Sequence, residues 1–418
     1  MPEPLSTDPY KGVRDFYPVD FARRDAMFAR IRETLARSSY EEYDASPLER
    51  SELYEAKTSE EIVREQTYTF ADRAGRSVTL RPEMTPTLAR MVAGRRRELA
   101  FPLRWFSIGN RFRYERPQKG RLREFYQADI DLVGLPEGEA DIEIVHLASA
   151  LLKAFGATEK DFVIRVNSRK LLNAACEAAG LSGGAARAYL RLLDRKAKMP
   201  PEEFRAASEM LTKTDPLSLV DRKSMDAFIA ALGERGVGNA VFDPSVTRGF
   251  DYYTGMVFEV FDTSAVNPRS LFGGGRYDRL IALWGGEPIP AVGFALGDVT
   301  LADFLETHGL APSGDGNKPQ LYLGTPVASD IPAAQSCAAG LRKEGVRVFV
   351  NLTDRALGDQ IRDAAKRGIP FFAAYGADET ANGLVRLKTL ATGEEAALPI
   401  SEIPERLQSG SRAPASVL

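Results

Sequence analysis

Arg113, Glu115, Arg121 and Phe125 put two cations, a carboxylate and an aromatic ring into one short stretch of the chain. A ring can stack on a nucleobase while arginines fork onto phosphates, so this combination suits a nucleotide. A second group lies at Arg248, Tyr252 and Tyr253, bracketed by Gly249 and Gly255. A cation and two phenols on a glycine-flanked backbone suit a small polar ligand. A third is Glu83, next to Thr85 and Pro86, where a carboxylate at a helix start can receive an ammonium group. Histidine is confined to His146 and His308, neither within these groups. Catalytic triads and histidine-ligated metals are therefore not expected. His146 lies in the apolar run IEIVHLASALLKAF and is expected to pack inside a helix.

The elements that must position these residues can be read from periodicity. Residues 104–113 and 124–133 have the mixed, β-branched and aromatic character of strands, and RPQKGR between them has turn residues. They predict a long antiparallel hairpin with a basic tip. A helix is expected from Asp20, as its cap, to about Arg37, with Phe21, Phe28, Ile31 and Leu35 on its inner side. TYTF and SVTL read as strands around DRAGR, and Thr85 as the cap of a helix that begins at Pro86. A helix is expected over 140–156, a strand running into a helix over 163–172, and broken helices over 170–232. In that last stretch Arg187, Arg191 and Arg195 share one helix face, extended by Lys196 and Lys198. That face is either simply solvated or a phosphate contact. APSGDGNK, at 311–318, reads as a linker. Beyond it strands and helices alternate, which predicts a small α/β domain with a largely parallel sheet over 318–405. The tail, 409–418, is expected to be disordered.

Several of these strings resemble one family. FRYERPQKGRLREFYQ, at 112–127, is similar to motif 2 of class II aminoacyl-tRNA synthetases in the form used by histidyl-tRNA synthetases. KGVRDF resembles the N-terminal signature of that family, and YEEYDASPLERSELY its motif 1, which builds the dimer interface. LRPEMT resembles its LRPE-x-T segment, and RGFDYYTG its histidine-specific signature. FGGGRYDRLIALWGGEPIPAVGFALG resembles the glycine-rich run into motif 3, and LGDQIRDAAKRGIPFFAAYG with VRLKTLATGEE the anticodon-binding domain. The resemblance implies an α+β fold. An antiparallel class II catalytic sheet flanked by helices would occupy 1–312, with a helical insertion at about 170–232 and an anticodon-binding domain at 318–405. It implies ATP-dependent attachment of L-histidine to its tRNA through a histidyl-adenylate. ATP with Mg2+ would be the substrate complex, with no metal or prosthetic group bound to the protein itself. The implied partners are histidine tRNA and a second copy of the chain.

Carried over residue by residue, Arg113 and Arg248 would hold the α-phosphate from opposite sides. Phe125 would stack the adenine, Glu115 accept from its amino group and Arg121 reach the outer phosphates. Glu83, Met84 and Thr85 would hold the amino end of histidine. Asp131 and Tyr253 would read the imidazole, with Gln127, Tyr252 and Tyr277 lining the pocket. Arg116 and Gln118 would face the acceptor end of the tRNA. Motif 3 departs from the family: after Gly297 stand Asp298, Val299 and Thr300, where the family has a hydrophobic residue, an acid and an arginine. Asp298 and Arg279 are the local candidates to compensate. The loss is shared with a synthetase-like histidine-sensing subunit of ATP phosphoribosyltransferase, which lacks the anticodon domain. That regulator and an inactive tRNA-sensing module are the competing readings.

Bulk properties fit a soluble two- or three-domain protein. The chain has 418 residues, 44% hydrophobic and 27% charged, with a net charge of −3. A nucleic acid would have to be gripped by local basic patches. No apolar run spans a bilayer and the opening residues lack the apolar segment of a signal peptide. Cys176 and Cys337 lie far apart, with neither metal spacing nor a disulfide framework. A cytoplasmic location is expected.

Overall fold

A computed structural model describes residues 5–55, 66–196, 199–248, 252–314 and 318–410. Lys198, Gly249 and the tail from 411 lie outside the described residues. The chain divides into two compact units, Met1–Pro312 and Ser313–Leu418.

The first unit opens with α1 (Pro18–Arg37). It begins two residues before the expected cap: Tyr17 is the cap residue and Pro18 the first helical residue, where its missing N–H costs nothing. Ala22, Met27, Phe28, Ile31 and Leu35 are its buried side, whereas Phe21 is exposed under the guanidinium of Arg24. Short β1 (Glu41–Glu42) follows, then β2 (Leu48–Arg50) and α2 (Glu52–Glu55). β2 forms a small sheet with β3 (Tyr68–Ala71) and β4 (Ser77–Leu80). α3 (Thr85–Arg95) starts at Thr85 itself, one residue earlier than expected, with Met84 at the cap and no side-chain cap bond.

The expected hairpin is present as β5 (Leu103–Phe112) and β6 (Glu124–Val133), paired antiparallel over their whole length. After α4 (Glu139–Ala154) comes β7 (Phe162–Ser168), running directly into α5 (Arg169–Ala178). Then follow α6 (Gly183–Arg195), α7 (Pro201–Leu211) and α8 (Lys223–Glu234). α5 and α6 share a small core of their own around Leu172, Cys176, Tyr189, Leu190 and Leu193. Arg187, Arg191, Arg195 and Lys196 are exposed along the outside of α6. β8 (Ala240–Phe242), β9 (Met256–Asp262), β10 (Ser270–Arg276), β11 (Ala291–Gly297) and α9 (Asp298–Thr307) complete the unit.

The large sheet has the order β1-β5-β6-β11-β10-β9-β7-β8. From β5 to β7 every pairing is antiparallel, and the short edge strands β1 and β8 pair parallel. Strand alternation gives the sheet two different faces. Tyr126, Ala128, Ile130 and Leu132 of β6, with Phe258, Val260, Phe272, Val292, Phe294 and Leu296, face the main core under α1, α4, α8 and α9. The odd-numbered residues of β6 point the other way. His146 is exposed, contrary to expectation, because α4 buries Ile142, Val145, Leu147, Ala148, Leu151 and Leu152 and leaves position 146 outside that surface. Arg276 is fully buried and pairs through two nitrogens with Asp141 (2.8 and 2.9 Å), fastening β10 to α4.

The second unit has its own core and a five-stranded sheet. Its elements are β12 (Leu321–Gly324), α10 (Ile331–Lys343), β13 (Val348–Val350), α11 (Leu357–Lys366), β14 (Phe371–Ala374), α12 (Ala377–Asn382), β15 (Leu384–Thr389), β16 (Glu395–Pro399) and α13 (Ile403–Gly410). Only β13, β12 and β14 are parallel; β15 and β16 add an antiparallel hairpin, because the turn at TGEE is too short for a crossover. The last helix reaches Gly410, two residues into the stretch expected to be disordered.

Candidate active site

Phe125, Gln127, Asp129 and Asp131 stand at every second position of β6, away from the core. Phe125 and Asp131 are six rises apart, roughly 20 Å along the strand. Across from them the sheet is floored with glycine. Gly109 pairs with Gln127, Gly293 with Asp131, and Gly273 and Gly275 follow one strand further on. A Cβ at Gly293 would run into the Asp131 carboxylate, and one at Gly275 would stand 2.9 Å from the Tyr253 ring. The result is an elongated trough with an aromatic end, an acidic end and cations between.

The two arginines reach this trough from opposite sides. Arg113 donates from Nε to the Pro82 carbonyl at 2.9 Å, and its guanidinium lies 5.4 Å from the Phe125 ring centre. Arg248 comes from the segment before β9. Its Nη1 pairs with Glu259 at 2.7 Å and its Nη2 reaches the Gly273 carbonyl at 3.4 Å. Its backbone has φ of 58°, left-handed and strained for a residue with a Cβ. Burial opposes the Arg248 charge, but Tyr253 and Glu259 outweigh it and raise its pKa, so it stays cationic.

Glu83 is buried and accepts a hydrogen bond from the Tyr252 hydroxyl at 3.0 Å; Tyr252 also bonds with Thr85. Tyr253 bonds with Tyr252 and Arg248. These residues therefore form one chain of contacts from Glu83 through both tyrosines to Arg248 and Glu259. Burial, with the Glu83 charge, holds the Tyr252 phenol neutral well past its ordinary range. Met84 is wholly buried with its sulfur 3.7 Å from Arg81, so its side chain packs beneath the segment.

At the acidic end, Tyr277 donates a short hydrogen bond to Oδ1 of Asp131. Burial pushes the Asp131 carboxyl up to about 8; the Tyr277 bond opposes this and neighbouring Asp129 adds to it. Asp129 is itself buried against Arg111 (2.6 Å), and Arg111 is fully buried beside Arg81. Neither Arg111 nor Asp129 stands out in the sequence as a site residue, since nothing in their spacing shows that they pair. Oδ2 of Asp131, Oε1 of Gln127, Nε of Arg248 and the hydroxyls of Ser107 and Tyr43 are buried without a hydrogen-bond partner. Buried polar atoms are ordinarily paired, so this concentration on one face marks a place for a polar ligand.

The hairpin tip brings other expected residues together differently. Glu115 and Arg121 pair with each other at 2.9 Å. Arg116 is exposed, and the Gln118 side chain accepts from Arg269 at 3.1 Å. Neither motif 3 compensation is supported. Asp298 is buried, bonded to Arg14 at 2.7 Å and to the Tyr126 N–H at 2.9 Å, so its carboxylate is already engaged. Thr300 bonds the Leu271 carbonyl at the start of β10 (2.7 Å), whereas Arg279 lies beyond the far end of that strand. Five strand rises, roughly 17 Å, separate Leu271 from Arg276 alone, more than an arginine side chain spans.

A six-stranded antiparallel sheet with a hairpin-borne arginine and a glycine floor, followed by a separate α/β unit, is the architecture of a class II aminoacyl-tRNA synthetase. A family profile described as histidyl-tRNA synthetase matches residues 12–209 and 197–300, and one described as an anticodon binding domain matches 322–410. The histidine–tRNA ligase of Leptospira biflexa is 39% identical over 433 residues, covering 97% of this chain and 98% of that one. The crystal structure of histidyl-tRNA synthetase from Nostoc sp. PCC 7120 matches with a TM-score of 0.76 at 24% identity, over 97% of this chain and 100% of that one. A structure described as an ATP phosphoribosyltransferase regulatory subunit/histidyl-tRNA synthetase from Bacillus halodurans C matches at 0.65 and 24%, over 84% and 93%. At those identities the two structures speak for the fold alone. The chain belongs to the histidyl-tRNA synthetase family.

Proposed function

We propose that the protein charges histidine tRNA with L-histidine in two steps. A carboxylate oxygen of histidine attacks the α-phosphorus of ATP, held as its Mg2+ complex, and pyrophosphate leaves. The terminal ribose of the tRNA then takes the histidyl group and AMP is released. The first step brings two anions together, so positioning and fixed positive charge should supply most of the acceleration. Arg113 and Arg248 hold the α-phosphate; their approach from opposite sides of the trough supports this. Phe125 stacks the adenine and Glu115 accepts from its amino group. Arg121 turns to the outer phosphates, which requires its pair with Glu115 to open. Glu83 and Thr85, with the backbone at Met84, hold the α-ammonium group. Asp131 and Tyr253 read the imidazole, while Gln127, Tyr252 and Tyr277 line the pocket, Tyr277 holding the Asp131 carboxylate. Arg116 and Gln118 face the tRNA acceptor end. The protein works as a homodimer in the cytoplasm; no helix among the described residues is long and apolar enough to cross a membrane.

The observation that carries this reading is the buried, partly unpaired carboxylate of Asp131 beneath Tyr277, in line with two arginines and a ring. A histidine-sensing subunit could use the same pocket. The match of residues 322–410 to an anticodon-binding domain favours charging. Incubation of the protein with ATP, total tRNA and each labelled amino acid in turn tests it. Acid-insoluble label should appear with histidine alone; label with another amino acid, or none, would reject the proposal.

A further inference from the structure

Two guanidinium groups lie buried beside the middle of the trough, and neither has a part in the mechanism above. Arg81 follows β4 and Arg111 stands on β5; their side chains are 3% and 0% exposed. Both converge on the Asn110 carbonyl, Arg81 from Nε at 3.0 Å and Arg111 from Nη1 at 2.9 Å. A Cβ at Gly109 would collide with Nη2 of Arg81 and come within 3.3 Å of Nη1 of Arg111. Gly109 is the cross-strand partner of Gln127, and opposite positions share one face of a sheet. The two cations therefore gather on the trough side, between the Phe125 end and the Asp131 end.

Among the described residues, Asp129 and Asp44 are the acids that act on Arg81. Asp129 is buried and answers Arg111 at 2.6 Å. Asp44 lies 3.3 Å from Arg81, but its side chain is 73% exposed, so water screens it. Nε of Arg111 is buried and unpaired. Burial, and then the Arg111 charge, oppose the Arg81 cation, which stays charged because a guanidinium does not deprotonate in proteins. One buried positive charge is thus left largely unanswered, where an apolar side chain would serve stability as well or better. An anion in the trough would relieve that cost. An amino acid with its ammonium group at Glu83 and its ring at Asp131 brings its carboxylate to this stretch, near Gln127. We propose that Arg81 is a further residue of the amino-acid site: its buried charge, set in place by Arg111 and Asp129, draws the substrate carboxylate towards Gln127 without touching it. This inference rests on histidine being the substrate.

The test is calorimetric titration of L-histidine and of L-histidinol into the wild type, Arg81→Gln and Arg81→Lys, with KM for ATP measured alongside. Histidinol keeps the ring and the ammonium group and carries CH2OH in place of the carboxylate. Arg81→Gln removes the charge and keeps a donor for the Ala45 or Asn110 carbonyl. It should bind histidine about tenfold more weakly, as loss of a weakly screened charge predicts, and histidinol as the wild type does. Arg81→Lys keeps the charge and should keep the wild-type ratio of the two affinities. A merely structural role would weaken both ligands alike and leave the ratio unchanged in Arg81→Gln, which would overturn the assignment. Loss of the ratio in Arg81→Lys would overturn it too, even if Arg81→Gln failed to fold. An unchanged ratio with a raised KM for ATP would give the charge to the phosphates instead, against the proposal. Each of these results leaves histidine as the substrate. Failure of the wild type to bind histidine would overturn both readings.

Discussion

Asp131 is ionised at a cost, because it lies away from water and beside Asp129, and its carboxyl titrates near 8. An imidazole titrates near 6.5. A histidine ring docked on Asp131 makes one proton shared by the pair the favourable count. Below about 6.5 the two separate partners carry two protons between them and must release one on binding. Above about 8 they carry none and must take one up. Histidine affinity should therefore be highest between these values and fall on both sides, and Asp131→Asn should lose the alkaline limb. Titration calorimetry across pH 5.5 to 9.5, an interval chosen to bracket about 6.5 and 8, measures this. Affinity that keeps rising to the alkaline end would show that Asp131 does not hold the ring. In the proposed mechanism the chemistry also depends on Arg248. Its left-handed backbone and its engagement with Glu259 and Tyr253 fix a cation over Gly273. Arg248→Ala should cut histidine-dependent pyrophosphate exchange by ~10²-fold or more while the protein stays folded. Exchange near the wild-type rate would remove Arg248 from the mechanism.

At the scale of elements, the β5–β6 hairpin joins two tasks. Its base carries Arg113 and Phe125 into the trough, and its tip presents Arg116 and Gln118 outward. Gln118→Ala should slow transfer to tRNA and leave pyrophosphate exchange intact, since the side chain touches Arg269 and not the trough. Equal loss in both assays would place Gln118 at the ATP site instead. The hairpin, α4 and the helices between β7 and β8 were legible in the sequence because their apolar spacing and turn residues are local signals. The caps of α1 and α3 were misread by three residues and one residue, where Pro18 and Thr85 begin the helices directly. The exposed place of His146 was missed because a nearly continuous apolar run hides which side of the helix is left over. The pairings Arg111–Asp129, Arg14–Asp298 and Tyr277–Asp131 could not be read, since each is made by tertiary register and not by spacing.

At the scale of the molecule, the two units have separate hydrophobic cores: every residue of the main core lies before Ser313, and the second core begins at Leu321. A chain ending at Pro312 should therefore fold and still activate histidine, while its affinity for tRNA drops. Charging by the truncated chain as efficient as by the whole protein would contradict a tRNA-binding role for the second unit. The same scale exposes the main departure from the family pattern. Val299 and Thr300 stand where an acid and an arginine are usual, Asp298 is tied to Arg14, and Arg279 lies at the wrong end of β10. In the proposed mechanism Arg113, Arg121 and Arg248 are then the cations left to hold the phosphates. The most direct test is histidine-dependent ATP–pyrophosphate exchange by the purified wild-type protein, with Arg279→Ala measured beside it. Exchange by the wild type, undiminished in Arg279→Ala, is the predicted result. Histidine binding without any exchange by the wild type would contradict the account and leave a histidine sensor in its place.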